Sequence, residues 1–260
     1  MSLYVFDLDG VIYRGKTLLP GVKETLLTLE QRGEEICFLS NNSTLSRKGY
    51  FKKLTRMGIE VKEDQFFPSS YLAGLYLSQN KCKKVFVVGQ EGIFEELEKA
   101  GVKVSSNING VDYVVVGMDR GFNFQKLSLA YQAIVRGAKF LATNTDVTFP
   151  LEKGTAPGAG AIVKALEAST GKSPLVLGKP QTFGLEKIMQ VKGYSPGQVI
   201  LVGDRLETDI AAGRKAGITT VLVLSGISTL KEAKNAAPPL KPHYIISTLK
   251  ELLFLNFNSE

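Results

Sequence analysis

Short apolar runs of strand length alternate with amphipathic stretches of helical period along almost the whole chain. That alternation restricts the fold to the α/β class with a largely parallel sheet. Leu3-Tyr4-Val5-Phe6 reads as a buried strand. Residues 22–31 read as an amphipathic helix behind Pro20-Gly21 and stopped by Gly33, and 35–39 as a second strand ending at Ser40-Asn41-Asn42. A helix over 45–57, closed by Gly58, a short strand near Phe66-Phe67 and a helix over 70–78 follow. The pattern then restarts, with strands over 84–89, 113–117 and 139–143 and helices over 91–100, 124–136 and 160–169. A third block places strands over 175–178, 199–202 and 220–224, with helices between and after them. Pro238-Pro239-Leu240-Lys241-Pro242 reads as a surface loop before the last strand. There is no fixed-period repeat.

With 260 residues, 44% of them hydrophobic and 22% charged, the chain can bury a core and is not of disordered composition. No apolar run approaches the roughly 18–20 residues that span a bilayer, so no membrane association is expected. The start, Met1-Ser2-Leu3, enters a strand-length apolar segment at once and lacks the layout of a signal peptide. Two cysteines, Cys37 and Cys82, argue against a disulfide framework and suit a reducing, cytoplasmic setting. The net charge of +7 is spread along the chain without a block of one sign. The densest basic cluster, Lys81-Cys82-Lys83-Lys84, reads as a solvated turn, and no nucleic-acid module is present. A mild positive field suits anionic small molecules better than nucleic acid.

Ligands of a parallel α/β sheet bind at the carboxyl ends of its strands, and four such ends here are unusually polar. Asp7-Leu8-Asp9-Gly10 follows the first strand. Residues two apart in extended chain share a side, so Asp7 and Asp9 can face one pocket, where paired carboxylates call for a cation or a shared proton. Taken by itself the motif also fits an Asp-rich turn. Ser40-Asn41-Asn42-Ser43 offers a hydroxyl, amides and backbone N–H groups to an anion, and equally fits plain capping of the next helix. Lys179, in Gly178-Lys179-Pro180, can neutralise a phosphoryl group or simply sit on the surface. Gly203-Asp204-Arg205-Leu206-Glu207-Thr208-Asp209 places Asp204 at a strand end, fit to ligate a metal. Asp209 can serve the same centre, although acidity at a helix start explains it too.

Four such motifs in this order resemble the haloacid dehalogenase-like phosphatases. Within them the chain is similar to the nitrophenylphosphatase-like branch with a large α/β cap, the ribonucleotide- and pyridoxal-phosphatase group. The resemblance covers essentially the whole chain. It implies a doubly wound, Rossmann-like parallel-sheet core at 1–79 and 178–260, with an α/β cap inserted at 80–177. It implies a Mg²⁺-dependent phosphatase of small phosphomonoesters. In that scheme Asp7 is the nucleophile that forms an aspartyl-phosphate, and Asp9 is the general acid and then the base. Mg²⁺ is held by Asp7, the backbone carbonyl of Asp9 and Asp204, with Asp209 orienting the metal shell. Ser40, Asn41 and Asn42 belong to the loop that holds phosphate oxygens, and Lys179 pairs with both phosphate and Asp7. The branch often dimerises through the cap, so a homodimer is a further expectation.

The charge logic stands independently of the resemblance. An anionic nucleophile must approach an anionic phosphate, and the repulsion has to be cancelled by metal and lysine. An alkoxide leaves poorly without a proton, which gives a second carboxyl group its purpose. In the cap, Asn144 and Asp146 follow a strand and are candidate contacts, while Gly158 and Gly160 read as a tight turn. His243 is the only histidine and sits in the proline-rich loop, which does not suit histidine catalysis. Two other classes compete: a phosphotransferase or mutase, and a non-catalytic phosphate-binding or regulatory module. The α/β cap argues against the first. Asp9 and Lys179 argue against the second, because binding alone needs no proton donor.

Overall fold

The structure is a computed structural model and describes residues 1–150 and 154–257. The chain divides into two compact units. One holds Met1–Leu39, Leu54–Gln65 and Lys179–Glu260, and the other Ser40–Lys53 and Phe66–Gly178. Both are built on parallel strands, as the α/β reading expects.

In the first unit the strands run in the order Tyr244–Ile246, Thr219–Val223, Val199–Gly203, Leu3–Phe6, Glu35–Ser40. Every neighbouring pair is parallel. Leu3–Phe6 is buried at every residue and lies between Val199–Gly203 on one side and Glu35–Ser40 on the other. The chain leaves it in both directions, which makes its carboxyl end the switch point where such sheets bind ligands. The helix Val22–Gln31 has the expected limits and buries Val22, Thr25, Leu26 and Leu29, the spacing of one helical face. Its limits are legible because Gly21 and Gly33 take left-handed φ values of 78° and 77°, which other residues rarely adopt.

The second unit has its own sheet, in the order Leu175–Val176, Lys139–Ala142, Tyr113–Val116, Lys84–Val88, Lys103–Val104, again parallel throughout. Phe86, Val88, Val114, Val116, Phe140 and Ala142 share one face and pack against Ala130, Ala133 and Ile134 of the helix Phe124–Val135. Ile162, Val163 and Leu166 of the helix Ala159–Thr170 complete that core.

Several elements depart from the sequence reading. Two antiparallel hairpins, Tyr13–Arg14 with Thr17–Leu18 and Thr148–Pro150 with Thr155–Pro157, are too short to carry a period. The edge strand Lys103–Val104 has two residues for the same reason. The helix expected over 45–57 is shorter, Arg47–Arg56. Its start is fixed from a distance: the Arg47 amide donates to Glu96 Oε1 at 2.6 Å, and Ser46 Oγ donates to Glu95. Gly92 lies so close to this turn that a Cβ would come within 2.3 Å of the Leu45 backbone. A carboxylate 49 residues away therefore satisfies an N–H that a local cap usually takes. Glu96 is buried and Glu98, two residues on, is exposed. Glu96→Ala is expected to lower stability by about 1–3 kcal/mol, the cost of an unsatisfied buried donor. Glu98→Ala should stay within about 0.5 kcal/mol of wild type. Chemical denaturation of the two variants side by side checks this.

Candidate active site

Asp7, Lys179, Asp204 and Asp209 meet in the first unit. Asp7 continues the Leu3–Phe6 strand, its amide donating to the Val202 carbonyl at 2.9 Å. Asp204 follows Val199–Gly203 directly. Asp209 lies in a π-type turn over Leu206–Ile210 that leads into the helix Ala211–Ala216. Lys179 follows the Leu175–Val176 strand of the other unit by three residues, and its bond to Pro180 is cis.

The Lys179 ammonium has three acceptors for its three protons: Asp7 Oδ1 at 2.6 Å, Asp209 Oδ1 at 2.5 Å and the Leu39 carbonyl at 3.2 Å. Lys179 is 3% exposed. Burial pulls its pKa down, but Asp209 and Asp7 more than reverse this and hold it above the ordinary lysine range. Burial pushes the Asp7 carboxyl well above the usual carboxylate range, with Asp209 and Asp204 adding to the rise and Lys179 opposing it. Asp204 is pushed up to about 7 by burial and by the Asp209 charge. Three carboxylates facing one ammonium are two charges out of balance.

Oxygen atoms of Asp7, Asp204 and Asp209 all lie within 4.8 Å of one another. This donor set is all oxygen, and its excess charge of two matches a divalent cation, so the residues fit Mg²⁺ or Ca²⁺. Among the described residues Asp7 Oδ2 accepts no hydrogen bond, whereas Asp209 Oδ2 accepts from the Arg205 amide at 3.1 Å and the Thr208 hydroxyl at 3.3 Å. Asp209 is thereby the most constrained of the three. Asp9 lies outside this cluster and accepts from the Tyr13 hydroxyl at 3.3 Å.

A loop that the sequence reading passed over braces the cluster. Ile227 N–H donates to Asp204 Oδ2 at 2.9 Å, and Ser228 Oγ accepts from Leu206 N–H at 3.1 Å. Ser225 Oγ donates to the Gly10 carbonyl at 2.7 Å. A Cβ on Gly226 would lie 1.9 Å from Asp204 Oδ2, and one on Gly10, whose φ is +92°, would lie 2.5 Å from the same atom. The only sequence signal for this role is Ser225-Gly226 directly after an apolar strand.

Ser40, Asn41 and Asn42 fall in the second unit. Ser40 is buried at the end of its strand, and its Oγ accepts from Asn42 N–H at 3.2 Å. Asn42 Oδ1 accepts from the Thr44 amide at 3.0 Å and the Thr44 hydroxyl at 2.7 Å, which folds that side chain back into its own loop. Asn41 donates through Nδ2 to Asp146 Oδ1 at 3.0 Å.

Two family models match the chain: the haloacid dehalogenase-like hydrolases over residues 4–103, and a HAD-hydrolase-like family over residues 176–252. Phosphoglycolate phosphatase 1A of Arabidopsis thaliana is 38% identical, over 97% of this chain and 76% of its own. This chain is a haloacid dehalogenase-like hydrolase. The p-nitrophenyl phosphatase from Archaeoglobus fulgidus superposes with a TM-score of 0.91 at 36% identity, covering 97% of this chain and 98% of that one. The glycerol phosphate phosphatase of Mycobacterium tuberculosis, solved in complex with magnesium, gives 0.90 at 29% identity, covering 96% of this chain and 76% of its own. Within the haloacid dehalogenase-like hydrolases the protein is a phosphatase. No helix among its described residues is long and apolar enough to cross a membrane, and both cysteines are free.

A cation held by this cluster binds the folded state and raises its stability, by about 2.7 kcal/mol at a hundredfold excess over Kd. MgCl₂ is therefore expected to raise the thermal midpoint of the wild type. Asp204→Asn should lose most of that rise. So should Gly226→Ala, whose new methyl displaces the Asp204 carboxylate. Thermal melts with and without MgCl₂ measure it; equal rises in all three proteins would remove Asp204 from the cation site.

Proposed function

We propose that the protein is a divalent-cation-dependent phosphatase of small phosphomonoesters that works through a phosphorylated Asp7. The observation that carries this reading is the buried Asp7–Lys179–Asp209 chain beside Asp204. It provides a nucleophile whose charge is partly balanced and a donor set suited to a hard cation.

Asp7 attacks phosphorus in line. The bond from phosphorus to the leaving oxygen breaks, and Asp9 gives that oxygen its proton. A water then attacks the acyl-phosphate, giving its proton to Asp9 and releasing orthophosphate and Asp7. Lys179 stays charged throughout and offsets the repulsion between carboxylate and phosphate. Ser40 and the Asn41 backbone amide hold phosphate oxygens, and Asn42 shapes their loop. Asp7, the Asp9 carbonyl and Asp204, with Asp209 beside them, would hold a cation, which would supply positive charge to the phosphoryl oxygens; magnesium in the M. tuberculosis relative supports Mg²⁺ as that ion. Residues 80–177 are assigned as a cap that selects the leaving group, on a core of 1–79 and 178–260. The relatives' names, which include phosphoglycolate, p-nitrophenyl and glycerol phosphate phosphatases, support a small ester as substrate.

Hydrolysis of p-nitrophenyl phosphate with Mg²⁺ or EDTA tests the reading. Wild-type turnover should disappear in EDTA, and Asp7→Asn should lower it by at least about 10³-fold. Asp9→Asn should release about one equivalent of nitrophenolate rapidly and then turn over about 10²–10⁴-fold more slowly. Nitrophenolate departs without help, whereas hydrolysis of the acyl-phosphate loses its base. Activity that persists in Asp7→Asn would rule out Asp7 as the nucleophile.

A further inference from the structure

The loop Ser40–Ser46 is held largely by other stretches of the second unit. Where open α/β sheets bind ligands, between the carboxyl ends of strands that diverge in connectivity, the second sheet instead receives its own chain. Thr44 O accepts from Gly92 N–H at 3.1 Å, at the start of the helix Glu91–Lys99. Ser43 Oγ accepts from the Thr143 hydroxyl at 3.2 Å, and Leu45 O accepts from the Ser70 hydroxyl at 2.7 Å. A Cβ on Gly117 would lie 2.5 Å from Ser43 Oγ.

The grip is tightest at Asn41, beside Ser40. Its carbonyl accepts from Asn144 Nδ2 at 2.6 Å and from Ser69 Oγ at 2.5 Å. Its side chain donates to Asp146 Oδ1 at 3.0 Å. Asn144 Oδ1 in turn accepts from the Asp146 amide at 3.0 Å, and the Asp146 carbonyl accepts from Gly160 N–H at 2.9 Å. Gly178 closes the set: a Cβ there would meet Thr143 O at 2.6 Å and Asn41 Oδ1 at 2.7 Å. Asn41 and Asn144 are 7% and 3% exposed, so these bonds lie in a low-dielectric setting where a lost partner is costly.

We propose that Asn144 and Asp146 are positioning residues for phosphate binding, fixing the Asn41 peptide from both its carbonyl and its side chain. The proposal rests on the phosphatase reading, because it takes the Ser40–Asn41 peptide as the donor to phosphate oxygens. The Asn41 N–H and carbonyl lie in two planar peptides joined at one Cα, so holding the carbonyl and the side chain together restricts the φ and ψ rotations that would re-aim the N–H. The two side chains act through Asn41 and touch no substrate. Donors aimed beforehand at phosphate oxygens bind more tightly than donors that must be ordered at each encounter.

The test is the set Asp146→Ala, Asp146→Asn, Asn41→Ala, Asn144→Ala and the double variant Asn41→Ala/Asp146→Ala. The readouts are kcat and KM for p-nitrophenyl phosphate, competitive inhibition by orthophosphate, and the thermal midpoint. Asp146→Asn keeps an oxygen for Asn41 Nδ2 and should inhibit and turn over within about 2-fold of wild type. Asp146→Ala and Asn144→Ala should raise KM and the orthophosphate inhibition constant about 10-fold or more, with a smaller change in kcat. Asn41→Ala should match Asp146→Ala in orthophosphate inhibition, and the double variant should be no worse than either, since both remove the Asn41–Asp146 hydrogen bond. Alanine variants that melt lower but bind orthophosphate like the wild type would overturn the proposal. So would Asp146→Asn and Asp146→Ala failing alike, because that places the charge rather than the bond at issue. An inactive wild type that ignores orthophosphate would overturn the phosphatase reading and this inference together. An active wild type with unaffected variants would overturn this inference alone.

Discussion

Lys179 brings a full positive charge into a site where it is 3% exposed, and the first unit is arranged around that fact. An ammonium without water needs three acceptors, and it takes Asp7, Asp209 and the Leu39 carbonyl. Those acceptors come from three separated stretches of chain, each at the carboxyl edge of the sheet or just beyond it. The interaction is costly for each partner alone, since a buried charge is stable only when paired and fully hydrogen-bonded. Together the partners still carry an excess of negative charge, which adds to burial in raising the pKa values of Asp7 and Asp204. That excess suits the site to a divalent cation.

The rest of the first unit serves this arrangement. Leu3–Phe6, buried throughout, fixes where Asp7 begins. Val199–Gly203 does the same for Asp204, and a widened, π-type turn rather than a regular α-helix carries Asp209 back toward Lys179. The Leu224–Ser228 loop contributes no titrating group. It contributes an N–H for Asp204 and a missing Cβ at Gly226.

These particulars explain what was legible in the sequence. Asp7, Lys179 and Asp204 stood out because each is a polar residue closing or following an apolar run, and the fold brings all three together. The limits of the helix Val22–Gln31 were legible because local glycines set them. Gly226 and Ile227 were not, because their contribution is backbone and empty space, which no residue chemistry advertises. The shortened helix Arg47–Arg56 was not, because its cap is Glu96, a long-range partner. Asn42 offered an amide to a ligand on paper, but Thr44 claims its oxygen. Asn41 lies in the same loop, yet the two amides serve different neighbours.

The inclusion of Ser40–Lys53 in the second unit bears on modularity. A segment excised at residues 80 and 177 would look like a cassette bounded by its own sheet. It would leave behind Leu45, seated against Gly92, and Arg47, capped by Glu96. Chimeras that exchange this region between relatives therefore need a second, earlier graft covering the Ser40–Lys53 stretch. For the same reason, residues at 40–53 and residues in the second sheet are expected to diverge together rather than independently.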